Sequence, residues 1–369
     1  MILLSLKLYL YQVPLNVSLP VGKQRIDKRH GLVLHAVVGS STNTGAESYS
    51  QTHSQTNGQT KEAWVDIAPL SGLDIDDQPI SGFSRESLLE VQQTLTEMLP
   101  KLCGQSIDIL LQQAEAVNYP SLAFGLSLLH AKLAGKLDGV RSISATVPLI
   151  YQPVIESGDA PASQLEDKVA SLGNEVRSVK VKVAQTSMED ELRLIYGILK
   201  VRPDLKLRLD ANRGFSFDEA MEFAACLPME SIEYIEEPCQ HPKDNSALFQ
   251  ALNIPFALDE SLNDSGYHFA MHEGLTALII KPMLLGSIEK LQNLIDTAQQ
   301  FGVRCILSSS LESSLGLSDL ASLAAILTPD EIPGLDTLSA FSQDVLVPSG
   351  KSQCLGFEQL ELIASAQQE

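Results

Sequence analysis

Residues 178–183 read SVKVKV. Val179, Val181 and Val183 alternate with Lys180 and Lys182, which is the period of a β-strand, so both lysines point to one face. The β-branched valines favour the same conformation. On a half-exposed strand these lysines would face water. On an enclosed strand they would carry two ammonium groups into the protein, and the flanking sequence decides between the two.

Downstream of about residue 145, short apolar runs alternate with amphipathic stretches. The runs are ATVPLIY (145–151), SVKVKV, LKLRLD (205–210), IEYIEE (232–237), IPFALDE (254–260), ALIIKP (277–282), VRCILSSS (303–310) and IPGLDT (332–337). SMEDELRLIYGILKV (187–201), SFDEAMEFAACL (216–227) and SIEKLQNLIDTAQQFG (287–302) lie between them and have helical periodicity. The runs recur at intervals of roughly 22 to 33 residues, the length of a βα unit. Seven or eight such units predict a (β/α)-barrel rather than an open sheet, so SVKVKV is an enclosed barrel strand.

Upstream, strand patterns at 3–13, 32–38 and 63–67 and helical patterns at 84–100, 107–115 and 119–134 predict an α+β domain. Pro120 stands near the start of the third helix, where proline is favoured. The segment 40–60 is rich in Ser, Thr and Gln without apolar periodicity and reads as a long surface loop. The predicted organisation is an α+β domain over 1–138, a (β/α)7β barrel over 139–345, and a C-terminal segment, 346–369, packed on one or the other.

The chain has 369 residues, 44% of them hydrophobic, and a formal net charge of −20. The apolar content suffices for a large core. The charge argues against nucleic acid as a partner and requires any anion site to be built locally. The five cysteines are scattered, without zinc spacing, as expected of reduced thiols in a cytoplasm. The apolar N-terminus, MILLSLKLYLYQVPL, is interrupted by Lys7 and is shorter than a membrane span, and no membrane association is expected. A monomer is compatible with the sequence.

Residues at the C-terminal ends of barrel strands face the active site. Here those ends carry Lys180 and Lys182, then Asp210 and Asn212, then Glu236 and Glu237, then Asp259 and Glu260, then Lys281, then Ser308, Ser309 and Ser310. Asp210, Glu236 and Asp259 on successive strands would repel one another unless a cation lies among them. Oxygen donors without Cys or His suit Mg²⁺, with Mn²⁺ as a substitute. Lys182 and Lys281 flank the trio by one strand on either side. This arrangement suits removal of a proton next to a substrate carboxylate: the metal stabilises the enediolate and one lysine, kept partly neutral by Lys180 and the metal, takes the proton. A Schiff-base role for Lys281 in a metal-free aldolase is the competing reading, and the three acids count against it. The serines supply hydroxyl and backbone N–H groups for a second substrate carboxylate, or cap the next helix.

SVKVKV, LRLDANRGF, YIEEP, ALDES and IIKP, in this order, resemble the enolase superfamily and its muconate-lactonizing subgroup. Within it, LRLDANR, EEPC, DES, IKP, SSSLESSLGL and IPGLDT are similar to the o-succinylbenzoate synthase family of the menaquinone pathway. The resemblance implies that Asp210, Glu236 and Asp259 bind Mg²⁺ and that Lys182 is the acid/base of a syn dehydration of a cyclohexadiene carboxylate. It implies that Lys281 stabilises the opposite face and that Glu237, Glu260 and Asn212 brace the ligands. It also suggests substrate contacts for Ser308, Ser309 and Arg208. The family's capping domain closes loops over the substrate. LPVGKQRIDKRHG (19–31) and SGFSRESL (81–88) are placed like those loops, the latter preceded by an extra stretch, LDIDDQP (73–79), and Arg29 is the candidate contact from the first. An N-acylamino-acid racemase or dipeptide epimerase of the same superfamily is the alternative.

Overall fold

The structure is a computed structural model that describes residues 1–22, 24–39, 60–150, 162–264 and 266–368. The polar segment predicted as a loop lies outside them except for Thr60, as does Tyr151 of the first barrel run.

The chain begins with β1 (Ile2–Val21), β2 (Gln24–Gly39) and β3 (Lys61–Ile67). Three helices follow: α1 (Leu88–Leu102), α2 (Ile109–Ala116) and α3 (Pro120–Leu133). The strand pattern predicted only 3–13, whereas β1 runs on to Val21 and pairs with β2 up to Val21↔Gln24. The segment 19–31 is therefore the far end of a β-hairpin rather than a loop. The ladder is interrupted between Pro14 and Leu19. Proline has no N–H to donate there, so the ladder is interrupted, although the alternation Val13, Leu15, Val17, Leu19 and Val21 runs on through it in the sequence.

The second layer holds β4 (Leu149–Ile150), α4 (Ala162–Ala170), β5 (Ser178–Lys182), α5 (Met188–Val201), β6 (Lys206–Asp210), α6 (Phe217–Ala225) and β7 (Ile232–Glu236). It continues with α7 (Asn245–Leu252), β8 (Phe256–Leu258), β9 (Leu275–Ile280), α8 (Pro282–Leu285), α9 (Ile288–Gln299), β10 (Arg304–Leu307) and α10 (Ser314–Leu327). β4 to β10 form one sheet in sequence order, every pair parallel. The run 332–337 closes it into a barrel: Gly334 N donates to Leu307 O of β10, and Val147 N, beside β4, donates to Pro333 O. A side chain at Gly334 would put a Cβ 2.9 Å from Ser308 Oγ, so the closing segment needs glycine there.

Val179, Val181 and Val183 are fully buried against α5 and α6 residues such as Ile195, Ile198 and Phe223, which leaves Lys180 and Lys182 facing the barrel interior. The helices between strands start on serines: Ser187, Ser216 and Ser287 each accept from a backbone N–H in the first turn. After the barrel come β11 (Asp344–Val345), β12 (Cys354–Leu355) and β13 (Glu361–Gln367). β13 pairs antiparallel with β1 and completes a four-stranded sheet of order β13-β1-β2-β3. One continuous apolar core joins this sheet, α1–α3 and the β8–α10 side of the barrel. At roughly 1.5–3 kcal/mol per buried leucine-sized side chain, that shared core fixes the sheet rigidly over the barrel.

Candidate active site

The barrel register stacks the inward side chains in layers. Lys182 pairs with Asp210, and Asp210 with Glu236, so these three lie level at the strand ends. Glu236 pairs with Ala257; Asp259 follows two residues later on the same face. Lys180, Arg208 and Tyr234 form the layer beneath.

The carboxylates of Asp210, Glu236 and Asp259 are almost wholly buried, and each offers an oxygen within 4.8 Å of the others. Three lysines surround them. Lys182 Nζ donates to Asp210 Oδ2 at 2.7 Å and to Asn212 Oδ1 at 2.6 Å. Lys180 Nζ lies 2.8 Å from the same Asp210 oxygen and 2.5 Å from Glu236 Oε2. Lys281 Nζ lies 2.5 Å from Asp259 Oδ2. Lys182 and Lys180 thus converge on one oxygen at one end of the arc, and Lys281 stands at the other.

Burial alone would neutralise Lys180 and Lys281. The carboxylates outweigh it: Asp210 and Glu236 hold the Lys180 ammonium well above its usual range, and Asp259 and Glu260 raise that of Lys281. Asp210 is also penalised by burial, yet Lys180, Lys182 and Lys281 together hold its carboxyl far below the ordinary carboxylate range. Glu236 goes the other way. Burial and repulsion from Asp210 and Asp259 exceed the help of Lys180 and push it up to about 7.

A divalent cation fits these donors. They are three carboxylates with oxygen ligands only, and Asp259 Oδ1 is buried without any hydrogen-bond partner, an orphan that a cation would satisfy.

The neighbouring acids brace this layer. Glu237 is fully buried and accepts from the N–H groups of Asp259 and Ser261 at 3.1 and 2.8 Å, pinning the end of β8. Asn212 links Lys182 to Glu260 by donating to Glu260 Oε1 at 2.7 Å. Burial and the adjacent Asp259 raise Glu260 to about 7. The backbone around the mouth is strained: Ala184, Asn212, Arg213, Glu237 and Leu311 all have φ between +41° and +65° without being glycine. Such conformations cost on the order of 1–3 kcal/mol each and gather where a site must be held in one shape.

The cavity above the trio is lined from the barrel by Ser308, Ser309, Leu311 and Thr337, and from the capping side by Leu19, Gly22, Leu70 and Phe83. Both predicted lid segments therefore reach it. Gln24 ties them together by accepting from Ser81 N and donating to Asp74 Oδ2, so the extra stretch 73–79 forms part of the same rim.

Three expectations need correction. Arg29 does not face the cavity. It is 3% exposed, and its guanidinium donates to the carbonyls of His30, Ala68, Pro69, Ser310 and Leu311, which leaves no donor for a ligand. Arg208 lies in the layer beneath the trio, bonded to Glu233 at 3.0 Å and over the Tyr234 ring, and does not line the cavity. The backbone N–H groups of Ser308, Ser309 and Ser310 are committed to Ile280 O, Gly334 O and Glu312, so they are not an anion cradle. Ser308 Oγ donates to Gly334 O, whereas Ser309 Oγ shares a proton with Thr337 Oγ1 at 2.9 Å and can redirect an O–H to a ligand. Thr337 ends the closing run IPGLDT and was readable there by the same strand-end rule; Phe83 and Gly22 had only their places in the lid segments to mark them.

Comparison with known proteins agrees with this geometry. A family model described as "Enolase C-terminal domain-like" matches residues 161–348. The o-succinylbenzoate synthase of Aliivibrio fischeri (strain MJ11) is 33% identical over 346 residues, 92% of each chain. That of Haemophilus influenzae is 32% identical over 93% of this chain and 92% of its own. Among solved structures, o-succinylbenzoate synthase from Thermosynechococcus elongatus BP-1, complexed with Mg in the active site, superposes with a TM-score of 0.64 at 21% identity. That match covers 92% of this chain and 94% of the other. A dipeptide epimerase from Cytophaga hutchinsonii, complexed with Mg and a dipeptide, gives 0.68 at 20% identity over 93% and 89%. The chain is an enzyme of the enolase superfamily.

Proposed function

We propose that the protein is an o-succinylbenzoate synthase, a carbon–oxygen lyase that dehydrates 2-succinyl-6-hydroxy-2,4-cyclohexadiene-1-carboxylate. The observation that carries this reading is the pair of lysines at the two ends of the acid arc, Lys182 and Lys281, beneath a cavity with an apolar capping wall and a hydroxyl-lined barrel wall. Resemblance to o-succinylbenzoate synthases along nearly the whole chain supports the same choice.

Asp210, Glu236 and Asp259 would hold Mg²⁺, with Mn²⁺ as a substitute. Bound there, the cation neutralises charge that builds on the substrate's ring carboxylate as the neighbouring carbon loses its proton. Lys182 in its neutral form takes that proton. Asn212 Oδ1 accepts from Nζ and so orients the amine toward the cavity. The C–H electron pair becomes the new ring double bond, and the hydroxyl leaves with its C–O pair from the same face. The Lys182 ammonium returns the proton to it, releasing water. Lys281 lies under the opposite end of the arc, placed to stabilise the flattened ring by charge and cation–π contact. Ser309 and Thr337 offer a hydroxyl pair to the succinyl carboxylate. Glu237 and Glu260 keep the ligand-bearing strand ends in place.

Among the described residues no helix is long and apolar enough to cross a membrane, and the five cysteines are unpaired, which supports a cytoplasmic setting. The racemase or epimerase alternative places the same lysines on the two faces of a stereocentre. A dipeptide would bring an ammonium group that needs an acid. Outside the trio, the acid lining the described cavity is Asp336, whose Oδ2 already accepts from Leu149 N at 2.9 Å. The deciding experiment offers the cyclohexadiene carboxylate and an N-succinyl amino acid to the purified enzyme in parallel. Formation of o-succinylbenzoate is the expected result; racemisation without dehydration would overturn the reading.

A further inference from the structure

Two buried charges of the capping sheet lie behind the cavity without touching it. Arg29 on β2 reaches across the domain boundary to the carbonyls of Ser310 and Leu311, at 3.4 and 3.0 Å, while its other bonds anchor it to Ala68 and Pro69. Asp66 on β3 accepts from Ser313 N at 2.9 Å and Ser313 Oγ at 2.7 Å, and from Tyr11 at 3.0 Å. Between these two grips the chain passes through Leu311 at φ +65°, a strained conformation for leucine, and Glu312, itself fully buried, closes the turn by accepting from Ser310 N and Oγ. The fit is close: a Cβ on Gly316, one turn into α10, would stand 2.8 Å from Asp66 Oδ2. Burial pushes the Asp66 carboxyl up, with the Ser313 donors, Tyr11 and the Arg29 charge opposing it.

This turn carries the cavity wall. Ser308, Ser309 and Leu311 line the cavity, and Ser309 Oγ must stay within reach of Thr337 Oγ1. A left-handed leucine holds its place only if its surroundings over-determine it. The surroundings here are Arg29 and Asp66, in a different domain from the metal-binding strands.

We propose that Arg29 and Asp66 are positioning residues for substrate recognition: they clamp the 310–313 turn so that Ser309 and Leu311 meet the distal, succinyl carboxylate end of the substrate. The proposal rests on the dehydratase reading for the identity of that group, but not for the clamp itself. Its signature is selective. Loosening the turn weakens contacts to the distal end and leaves the trio and Lys182, on β5–β8, as they are.

The test compares wild type with Arg29→Gln, Arg29→Lys and Asp66→Asn in Mg²⁺. For Arg29→Gln, KM and the inhibition constant of the product o-succinylbenzoate are expected to rise about tenfold, the scale of one or two lost hydrogen bonds, with kcat changed by less than about threefold. Inhibition by benzoate, which lacks the succinyl arm, should be unchanged. Hydrogen exchange at amides 310–314 should accelerate while β2 and β3 stay protected. Equal weakening of both inhibitors, or wild-type exchange at 310–314, would overturn the clamp. If wild type neither binds nor forms o-succinylbenzoate, the dehydratase reading fails, and the exchange measurement still decides the clamp. Arg29→Lys, which keeps the charge but not the five-donor fork, and Asp66→Asn, which keeps the shape, carry the comparison if Arg29→Gln does not fold.

Discussion

Replacing Lys182 tests the chemistry most directly. In the proposed reaction its amine moves the same proton twice, first off the ring carbon and then onto the departing hydroxyl. Neither of the other two lysines at the trio is placed to take over. Lys180 Nζ is held between Asp210 and Glu236, and Lys281 lies on Asp259 at the far end of the arc. Positioned acid–base catalysis contributes about 10²–10⁴ per transfer, so losing both should lower kcat by at least about 10⁴, roughly 5.5 kcal/mol of barrier. The sharper variant is Lys182→Arg. A guanidinium keeps a positive charge beside Asp210 but stays protonated at neutral pH, so it can serve as a counter-ion and not as a base. If Lys182 were only an electrostatic partner, Lys182→Arg would retain most activity. Lys182→Ala removes one of the two ammonium groups on Asp210 Oδ2, so the trio becomes more negative and Mg²⁺ affinity should rise while turnover disappears. Turnover is followed by the absorbance of the newly aromatic ring and metal affinity by calorimetry. Lys182→Arg turning over within about tenfold of wild type would refute the acid/base assignment, because that factor is below even one proton transfer.

Three further outcomes follow from the same geometry. Chelation with EDTA should abolish turnover and Mg²⁺ or Mn²⁺ should restore it; activity indifferent to EDTA would instead favour a Schiff base on Lys281. Phe83→Ala opens the capping wall of the cavity and should raise KM by about tenfold, the scale of one lost apolar contact of around 1.4 kcal/mol, with little change in Mg²⁺ affinity; an unchanged KM would remove Phe83 from the binding wall. Deleting residues 41–59 should leave turnover within a few-fold, since β2 and β3 are antiparallel neighbours with Val38 opposite Lys61 and a short turn can join them; loss of activity in a folded deletion would assign that segment a role in the site.

The barrel and the acid trio were legible because both obey simple periods. Strand alternation fixes which residues face inward, and βα spacing fixes that strand ends converge, so Lys182, Asp210, Glu236, Asp259 and Lys281 could be read together. Arg208 shows where that logic stops. It stands two residues before Asp210, on the same face and one layer lower; Lys180 in that layer still reaches the trio, whereas Arg208 is drawn to Glu233, a partner choice that no local pattern encodes. Arg29 was misplaced because the first strand was ended at Val13, ahead of Pro14, whereas the hairpin continues past both Pro14 and Pro20, and what takes up its donors are carbonyls from residues 30–69 and 310–311. The serine cluster was found, but availability of its donors depends on the turn that brings Glu312 back onto Ser310 and on Gly334 and Ile280, distant partners that only the folded chain brings together.

Formal charge ties the site to its substrate class. Counted as fully ionised, before Lys182 gives up its proton, Asp210, Glu236 and Asp259 carry three negative charges and Lys180, Lys182 and Lys281 three positive ones, so these six side chains sum to zero although the chain as a whole carries −20. A divalent cation then leaves the site at +2, which a substrate with two carboxylates cancels and a zwitterionic dipeptide does not. Unbalanced charge in a buried site is costly, so under the proposed function this balance favours dianions. N-succinyl amino acids are dianions too, and charge cannot separate them from the cyclohexadiene. The difference lies in how the lysines are used. Racemisation needs both Lys182 and Lys281 as proton carriers, whereas syn dehydration needs only Lys182 and asks of Lys281 nothing but its charge. Lys281→Arg is therefore the discriminating variant: it keeps the cation on Asp259, should preserve a substantial part of the dehydration rate, and should abolish any racemisation. Loss of dehydration to the level of Lys182→Ala would mean that Lys281 also moves a proton, and the single-base mechanism would have to be abandoned.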